Sequence, residues 1–209
     1  MGKNEFSRYY KDKEVTDTYD TQREGTKYRR EKRKIELQIF LELLDKKEGE
    51  EVLEIGASSG ALTKYLKKVV AVDTNSEMLK LTKQKNPQAN CICADMFKLP
   101  FQDKLFDKVI TIRVWTHLDE KELREALKES RRILKDKGII VFDVEEHNPL
   151  RRFVHFFYKR LFSITGYKIC PYRLSHITKI ITEEGFDVEQ IKFLKHRIGR
   201  QIILKVRKR

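Results

Sequence analysis

Short apolar segments alternate with amphipathic helical segments through most of this 209-residue chain. The apolar segments lie at residues 51–55, 69–72, 91–94, 107–112 and 138–144, and they show no regular alternation of apolar and polar side chains. Strands of this kind are buried on both faces, as in parallel sheets that helices cover. The pattern therefore predicts a doubly wound α/β fold with right-handed crossovers.

Helical spacing of apolar residues predicts the helices that accompany these strands. A lead-in helix is expected from Lys27 to about Leu44, with Ile35, Ile39, Phe40, Leu43 and Leu44 along its apolar face. Further helices are expected after the first strand, where they would carry Leu62, Tyr65 and Leu66, and at residues 76–85, 120–135 and 171–184. Residues 186–194 and 201–206 are expected to pair as an antiparallel hairpin around a turn at Ile198-Gly199.

The length of the chain fits a single domain. We interpret residues 1–34 as an N-terminal lead-in and lid segment that includes Tyr19-Asp20, and residues 35–209 as one domain. A basic amphipathic insertion is expected at about residues 149–170. A helix over residues 150–164 would place Phe153, Phe157, Leu161 and Ile164 opposite Arg152, His155 and Lys159. Such a helix could cap an acceptor pocket, rest on an anionic membrane surface or only cover the core.

The net charge of +13 is concentrated near the C-terminus, because residues 151–209 carry 15 basic and 4 acidic side chains. A partner surface is therefore expected there, for nucleic acid or for an anionic membrane surface. The sequence contains no apolar run long enough for a transmembrane helix and does not begin like a secretory signal, so a cytoplasmic location is expected. The three cysteines are interpreted as reduced thiols, and no metal site is predicted.

In a doubly wound sheet, ligands bind beyond the carboxyl ends of the strands. The turn after the first strand has glycine at positions 56 and 60, where the backbone must bend sharply or approach a ligand closely. It is not a dinucleotide fingerprint, because Ser58 and Ala61 stand where that motif needs glycine. Glu54 would repel a pyrophosphate and favours a ligand with cationic groups, such as S-adenosylmethionine.

Acidic residues also follow the next two strands. Asp73 is placed to accept hydrogen bonds from both ribose hydroxyls of such a ligand. Asp95 could accept one from the adenine amino group, and Met96 could offer the ring a backbone N–H and an apolar side chain. Acids at the ends of three consecutive strands together indicate a cofactor site.

Four successive segments, VLEIGASSG, VVAVDTNSEML, CADMFKLPF and FDKVITIRVWTHL, resemble the motifs of class I S-adenosylmethionine-dependent methyltransferases. The resemblance is to the broad type 11 group, which includes ubiquinone and menaquinone methyltransferases, and it covers about residues 30–145. The segment from Tyr172 to Phe186, with EEGF, is also similar to that group. The resemblance implies a seven-stranded sheet in the order 3-2-1-4-5-7-6, with the acceptor approaching over strands four and five. The family usually has glycine where Ser58 stands.

The predicted cofactor site contains residues from four strand ends, namely Glu54, Gly56, Ala57, Ser58, Gly60, Asp73, Thr74, Asp95, Met96, Ile112 and Arg113. His117 is the candidate general base if the acceptor must lose a proton. Glu145, Glu146 and His147 could orient an acceptor.

Three functions remain open from the sequence. The Asn-Pro-Pro-aromatic motif of base-directed amino methyltransferases and the Pro-Cys pair of cytosine C5 enzymes are both missing. A small-molecule or lipid-like acceptor is therefore preferred to RNA, which stays an alternative because of the basic C-terminal region. A protein that binds the cofactor without turnover is the third interpretation.

Overall fold

The computed structural model describes residues 25–148, 169–195 and 199–209 of the chain. The strands of the described part are β1 (Val52–Ile55), β2 (Val70–Asp73), β3 (Asn90–Cys93), β4 (Phe106–Thr111), β5 (Leu134–Glu145), β6 (Phe186–Lys195) and β7 (Arg200–Lys208). They form one sheet in the order β3-β2-β1-β4-β5-β7-β6. Strands β1 to β5 are parallel, and β7 pairs antiparallel with both β5 and β6. The predicted fold class, strand order and C-terminal hairpin are confirmed.

The helices of the described residues are α1 (Lys27–Leu44), α2 (Ser76–Lys85), α3 (Glu120–Ile133) and α4 (Leu174–Glu183), with short 3-10 helices at Thr63–Tyr65 and Trp115–His117. Local signals explain where two of them begin. The Asn75 side chain accepts hydrogen bonds from the first turn of α2, and Asp119 forms a capping box with Glu122 at the start of α3. Apolar residues of α1 pack on one face of the sheet, whereas those of α3 and α4 pack on the other.

The apolar face of α1 differs from the prediction near the middle of the helix. The Ile35 side chain is 50% exposed, whereas Glu36 and Leu37 are buried together with Phe40 and Leu43. Glu36 can occupy a core position because it forms ion pairs with two arginines. Apolar periodicity alone assigns such a position to the neighbouring isoleucine.

The predicted helix carrying Leu62, Tyr65 and Leu66 is wrong, because this part of the chain forms only the 3-10 helix Thr63–Tyr65. The buried Asn86 side chain donates to the carbonyl oxygens of Thr63 and Leu66, at 2.9 and 2.6 Å. These carbonyls would accept backbone bonds if an α-helix continued through the segment. The side chain of Tyr65 is 53% exposed rather than packed inward.

Several predictions concern residues outside the described ranges. They are the segment with Tyr19-Asp20, the helix over residues 150–164 and the hairpin turn at Ile198. Among the described residues, no helix combines the length and the apolar character that crossing a bilayer requires. The cytoplasmic location stays a prediction.

Candidate functional site

The predicted cofactor residues lie at one edge of the sheet because the parallel strands end at the same level. Ile55 of β1 is in register with Val72 of β2 and with Thr111 of β4. Asp73 is in register with Cys93, the last residue of β3. The turns that follow these four strands are therefore neighbours.

The two glycines of the turn after β1 have backbone conformations that favour glycine. Gly56 and Gly60 have φ angles of 72° and 77°. A Cβ atom on Gly56 would overlap the side chain of Val114, which follows β4, and one on Gly60 would lie 2.9 Å from the Cα of Thr82 in α2. Both glycines thus allow close packing of neighbouring turns and helices within the chain itself.

Ser58 and Asp73 are in direct contact. Ser58 has a left-handed backbone with φ of 51°, and its N–H donates to one carboxylate oxygen of Asp73 at 2.8 Å. The other oxygen accepts the N–H of Asn75 at 2.9 Å. Burial raises the pKa of Asp73, and these backbone donors oppose that rise. Because a carboxylate offers about four acceptor positions, Asp73 can hold its own turn and still accept further hydrogen bonds.

Glu54, within β1, is the most buried of the predicted cofactor carboxylates, at 4% exposure. It accepts a hydrogen bond from the Thr63 hydroxyl at 2.5 Å. Burial raises the pKa of Glu54 to about 7, and the hydrogen bond from Thr63 and the positive charge of Arg33 oppose this rise. A cationic ligand group beside this carboxyl would favour its charged form.

The two predicted residues after β3 are less enclosed. Asp95 is exposed, and its carboxylate accepts the N–H of Phe97 at 3.0 Å. Met96 is half-buried and packs against the core on the α3 side of the sheet. Thr74, after β2, is exposed. An exposed carboxylate and an apolar side chain are groups that suit the edge and the face of an adenine ring.

The remaining predicted cofactor residues line the turns after β1 and β4. Ala57 is buried and its N–H donates to the Val72 carbonyl at 3.0 Å. Ile112 is half-buried against the α1 side of the core. Arg113 has a left-handed backbone with φ of 58°, and its N–H donates to Asp143 at 2.7 Å.

His117, the candidate base, ends the second 3-10 helix and is 7% exposed. The chain returns beside it at residues 169–172. The N–H of Cys170 donates to the carbonyl of Thr116 at 2.9 Å, and the Tyr172 hydroxyl donates to the carbonyl of Leu118, also at 2.9 Å. His117 thus lies shortly after the carboxyl end of β4. Its role as a base stays a prediction.

Sequence reasoning missed four polar residues that contact the turn after β4 or one another. They are Arg33, Glu36, Asp143 and Gln201. One of them carried a usable signal, because Asp143 interrupts the apolar strand GIIVFDV. An acid in an otherwise buried element must have a partner.

Residues 53–142 match the model of a family described as a methyltransferase domain. A demethylmenaquinone methyltransferase of Tropheryma whipplei is 27% identical over 165 residues, which are 73% of this chain and 67% of that protein. A protein of Methanocaldococcus jannaschii is 39% identical over 98 residues, which are 47% of this chain and 38% of that protein. The chain thus spans only part of the length of several curated relatives, 51% and 62% of two others.

Solved structures show the same fold. The magnesium protoporphyrin IX methyltransferase of Synechocystis PCC 6803, solved with bound S-adenosylmethionine, superposes with a TM-score of 0.70 at 16% identity. The match covers 98% of this chain and 97% of that one. The fold is therefore that of these enzymes over nearly the whole chain.

Proposed function

We propose that this chain is a class I S-adenosylmethionine-dependent methyltransferase and that it transfers a methyl group to a small-molecule or lipid-like acceptor. The cofactor would be S-adenosylmethionine, which is bound in the solved Synechocystis structure that shares this fold. One observation supports the proposal above all others: the parallel register of β1, β2 and β3 brings Glu54, Asp73 and Asp95, at or just after the ends of these strands, to one edge of the sheet. These carboxylates match the amino, ribose and adenine groups of the cofactor in that order.

The cofactor supplies a methyl group on a positively charged sulfur, so the reaction is an in-line displacement. The protein then needs to align the two reactants and exclude water from them. Glu54 would bind the amino group, Asp73 the ribose hydroxyls, and Asp95 with Met96 the adenine ring. His117 would accept a proton only from an acceptor that must lose one.

The acceptor side is proposed to lie over the ends of β4 and β5. The residues that flank segment 149–168 are held there, since the N–H of Tyr172 donates to the carbonyl of Glu145 at 2.8 Å. The N–H of His147 donates in turn to the carbonyl of Tyr172 at 2.9 Å. His147 and Tyr172, on either side of this segment, therefore lie beside this part of the edge. The sequence of the segment is rich in aromatic and basic residues.

A quinone-like or other lipid-like acceptor is favoured by the Tropheryma whipplei relative, whose name gives demethylmenaquinone as its substrate. The described basic residues of the C-terminal region support an RNA acceptor less strongly than their number alone would indicate. Several of them form ion pairs, including Arg200 with Glu146, Arg207 with Glu189 and Arg209 with Asp187. Each pairing lowers the positive potential that phosphates would meet.

The acceptor class can be identified by transfer of a radiolabelled methyl group from S-adenosylmethionine into an extract of the source cells. After incubation with the purified chain, the extract is separated into lipid, small-molecule, RNA and protein fractions. We expect the label in the lipid or small-molecule fraction. Label that appears mainly in RNA would contradict this acceptor and support the RNA alternative, and the absence of label in all fractions would support a cofactor-binding protein without turnover. An Asp73→Asn variant is the control for transfer through the proposed site.

A further inference from the structure

A buried polar network joins helix α1 to the ends of β4, β5 and β7. Glu36 of α1 is fully buried and accepts hydrogen bonds from Arg113 at 2.7 Å, Arg33 at 2.8 Å and Gln201 at 3.0 Å. The same Gln201 amide nitrogen donates to the buried Asp143 at 2.7 Å, and the backbone N–H of Arg113 donates to the other oxygen of Asp143 at 2.7 Å. The network thus holds Arg113 by its side chain and by its backbone.

Arg113 is held in a conformation that an arginine rarely adopts. Its φ of 58° lies in the left-handed region, where non-glycine residues persist only if their surroundings impose the conformation. Asp143 fixes the backbone amide, and Glu36 fixes the guanidinium. The next residue, Val114, occupies the space beside Gly56, so the conformation of Arg113 also determines how the turn after β4 meets the turn after β1.

The network also extends toward Glu54. Arg33 pairs with Glu36 at 2.8 Å, and its positive charge acts on the buried carboxyl of Glu54. Charged residues on three different elements are therefore linked beside the turns after β1 and β4. Burying such groups is costly, and well-packed apolar residues often stabilise a fold equally well. Their placement at the ligand edge of the sheet indicates a role beyond stability.

We propose that Glu36, Asp143 and Gln201 are positioning residues, which hold the Arg113 turn in the geometry that S-adenosylmethionine binding requires. This inference rests on the proposed function, because it assumes that the cofactor lies over the turns after β1 and β4. Helix α1 then contributes to cofactor affinity through Glu36.

The first test measures the dissociation constant for S-adenosylmethionine by isothermal titration calorimetry, together with the melting temperature. The variants are Glu36→Gln and Asp143→Asn, which keep the side-chain shape, and their double combination. The control is Arg124→Gln, which removes ion pairs of α3 with Glu183 and Glu184 away from this edge. We expect each network variant to weaken cofactor binding at least tenfold and the control to leave it unchanged. In the double variant, we expect the fold-loss of cofactor affinity to be smaller than the product of the two single fold-losses, because both residues act through Arg113.

Variants that melt at lower temperature but bind the cofactor as tightly as the wild type would overturn the proposal, because the network would then be structural only.

A second measurement does not depend on cofactor binding. Trp115 is the single tryptophan of the chain, is fully buried and lies two residues after Arg113. A loosened turn should shift its fluorescence emission to longer wavelength in Glu36→Gln and Asp143→Asn, and not in Arg124→Gln.

The two measurements separate this inference from the proposed function. A wild-type chain that fails to bind S-adenosylmethionine would contradict the proposed function, whereas a shift of Trp115 emission in the network variants would still support the positioning of the turn. Unchanged emission in both variants would overturn that positioning, whether or not the cofactor binds.

Discussion

The acidic residues of the candidate site make hydrogen bonds within the protein itself. Asp73 accepts backbone N–H groups of Ser58 and Asn75, and Glu54 accepts the Thr63 hydroxyl. These contacts hold the carboxylates in place before a ligand arrives. Preorganised groups lose less conformational freedom when a ligand binds.

Cofactor binding is predicted to release a proton from Glu54. Burial raises the pKa of this carboxyl to about 7, so at pH 6 it is mostly protonated in the free protein. The amino group of the cofactor is cationic and favours the carboxylate form, so affinity should fall as the pH is lowered from 8 to 6. Calorimetric titration at pH 6 in two buffers of different ionisation enthalpy measures the proton release directly.

Glu54→Gln is the matched control for this prediction, since an amide cannot titrate. The variant should bind the cofactor more weakly at pH 8 and should release no proton from this position. Equal proton release by the wild type and the variant would show that the proton comes from another group.

At the scale of elements, the turn after β1 depends on close packing against α2. A Cβ atom on Gly60 would lie only 2.9 Å from the Cα of Thr82. The Thr82 hydroxyl donates to the carbonyl of Ser58 at 2.6 Å. Glycine at position 60 therefore serves two requirements, a left-handed backbone and a short approach between elements.

Gly60→Ala is expected to destabilise the fold more than Gly49→Ala. Both glycines have positive φ angles, 77° and 84°, so each alanine incurs a conformational cost of roughly 1–2 kcal/mol. A Cβ on Gly49 would have no atom within 4 Å, whereas one on Gly60 meets backbone, which adds about 1–3 kcal/mol of overpacking. Urea denaturation measures both free energies of unfolding, and equal losses would contradict the packing explanation.

Most elements could be predicted from the sequence because apolar runs and helical spacing are local signals. The helix expected at Leu62 to Leu66 failed because a distant side chain, Asn86, takes the carbonyls that it would use. The inward position of Glu36 was missed for a related reason, since its partner Arg113 lies 77 residues further along the chain. Spacing within one segment cannot reveal either contact.

At the scale of the whole molecule, the strand order was expected from family resemblance rather than from local pattern. Alternating strands and helices predict a doubly wound sheet, but several orders satisfy that pattern. The structure confirms the order with β7 between β5 and β6. The candidate site followed from this order, whereas the network around Arg113 needs the relative positions of α1, β5 and β7 and appears only in three dimensions.

The most direct test of the account is a calorimetric titration of the purified chain with S-adenosylmethionine and, in parallel, with NAD. We predict that the wild type binds S-adenosylmethionine and not NAD, and that Asp73→Asn binds it at least tenfold more weakly, about 1.4 kcal/mol, through loss of charged hydrogen bonds. Asp187→Asn, which removes an exposed ion pair with Arg209, should keep wild-type affinity. Binding of NAD in preference to S-adenosylmethionine, or unchanged affinity in Asp73→Asn, would contradict the proposed site.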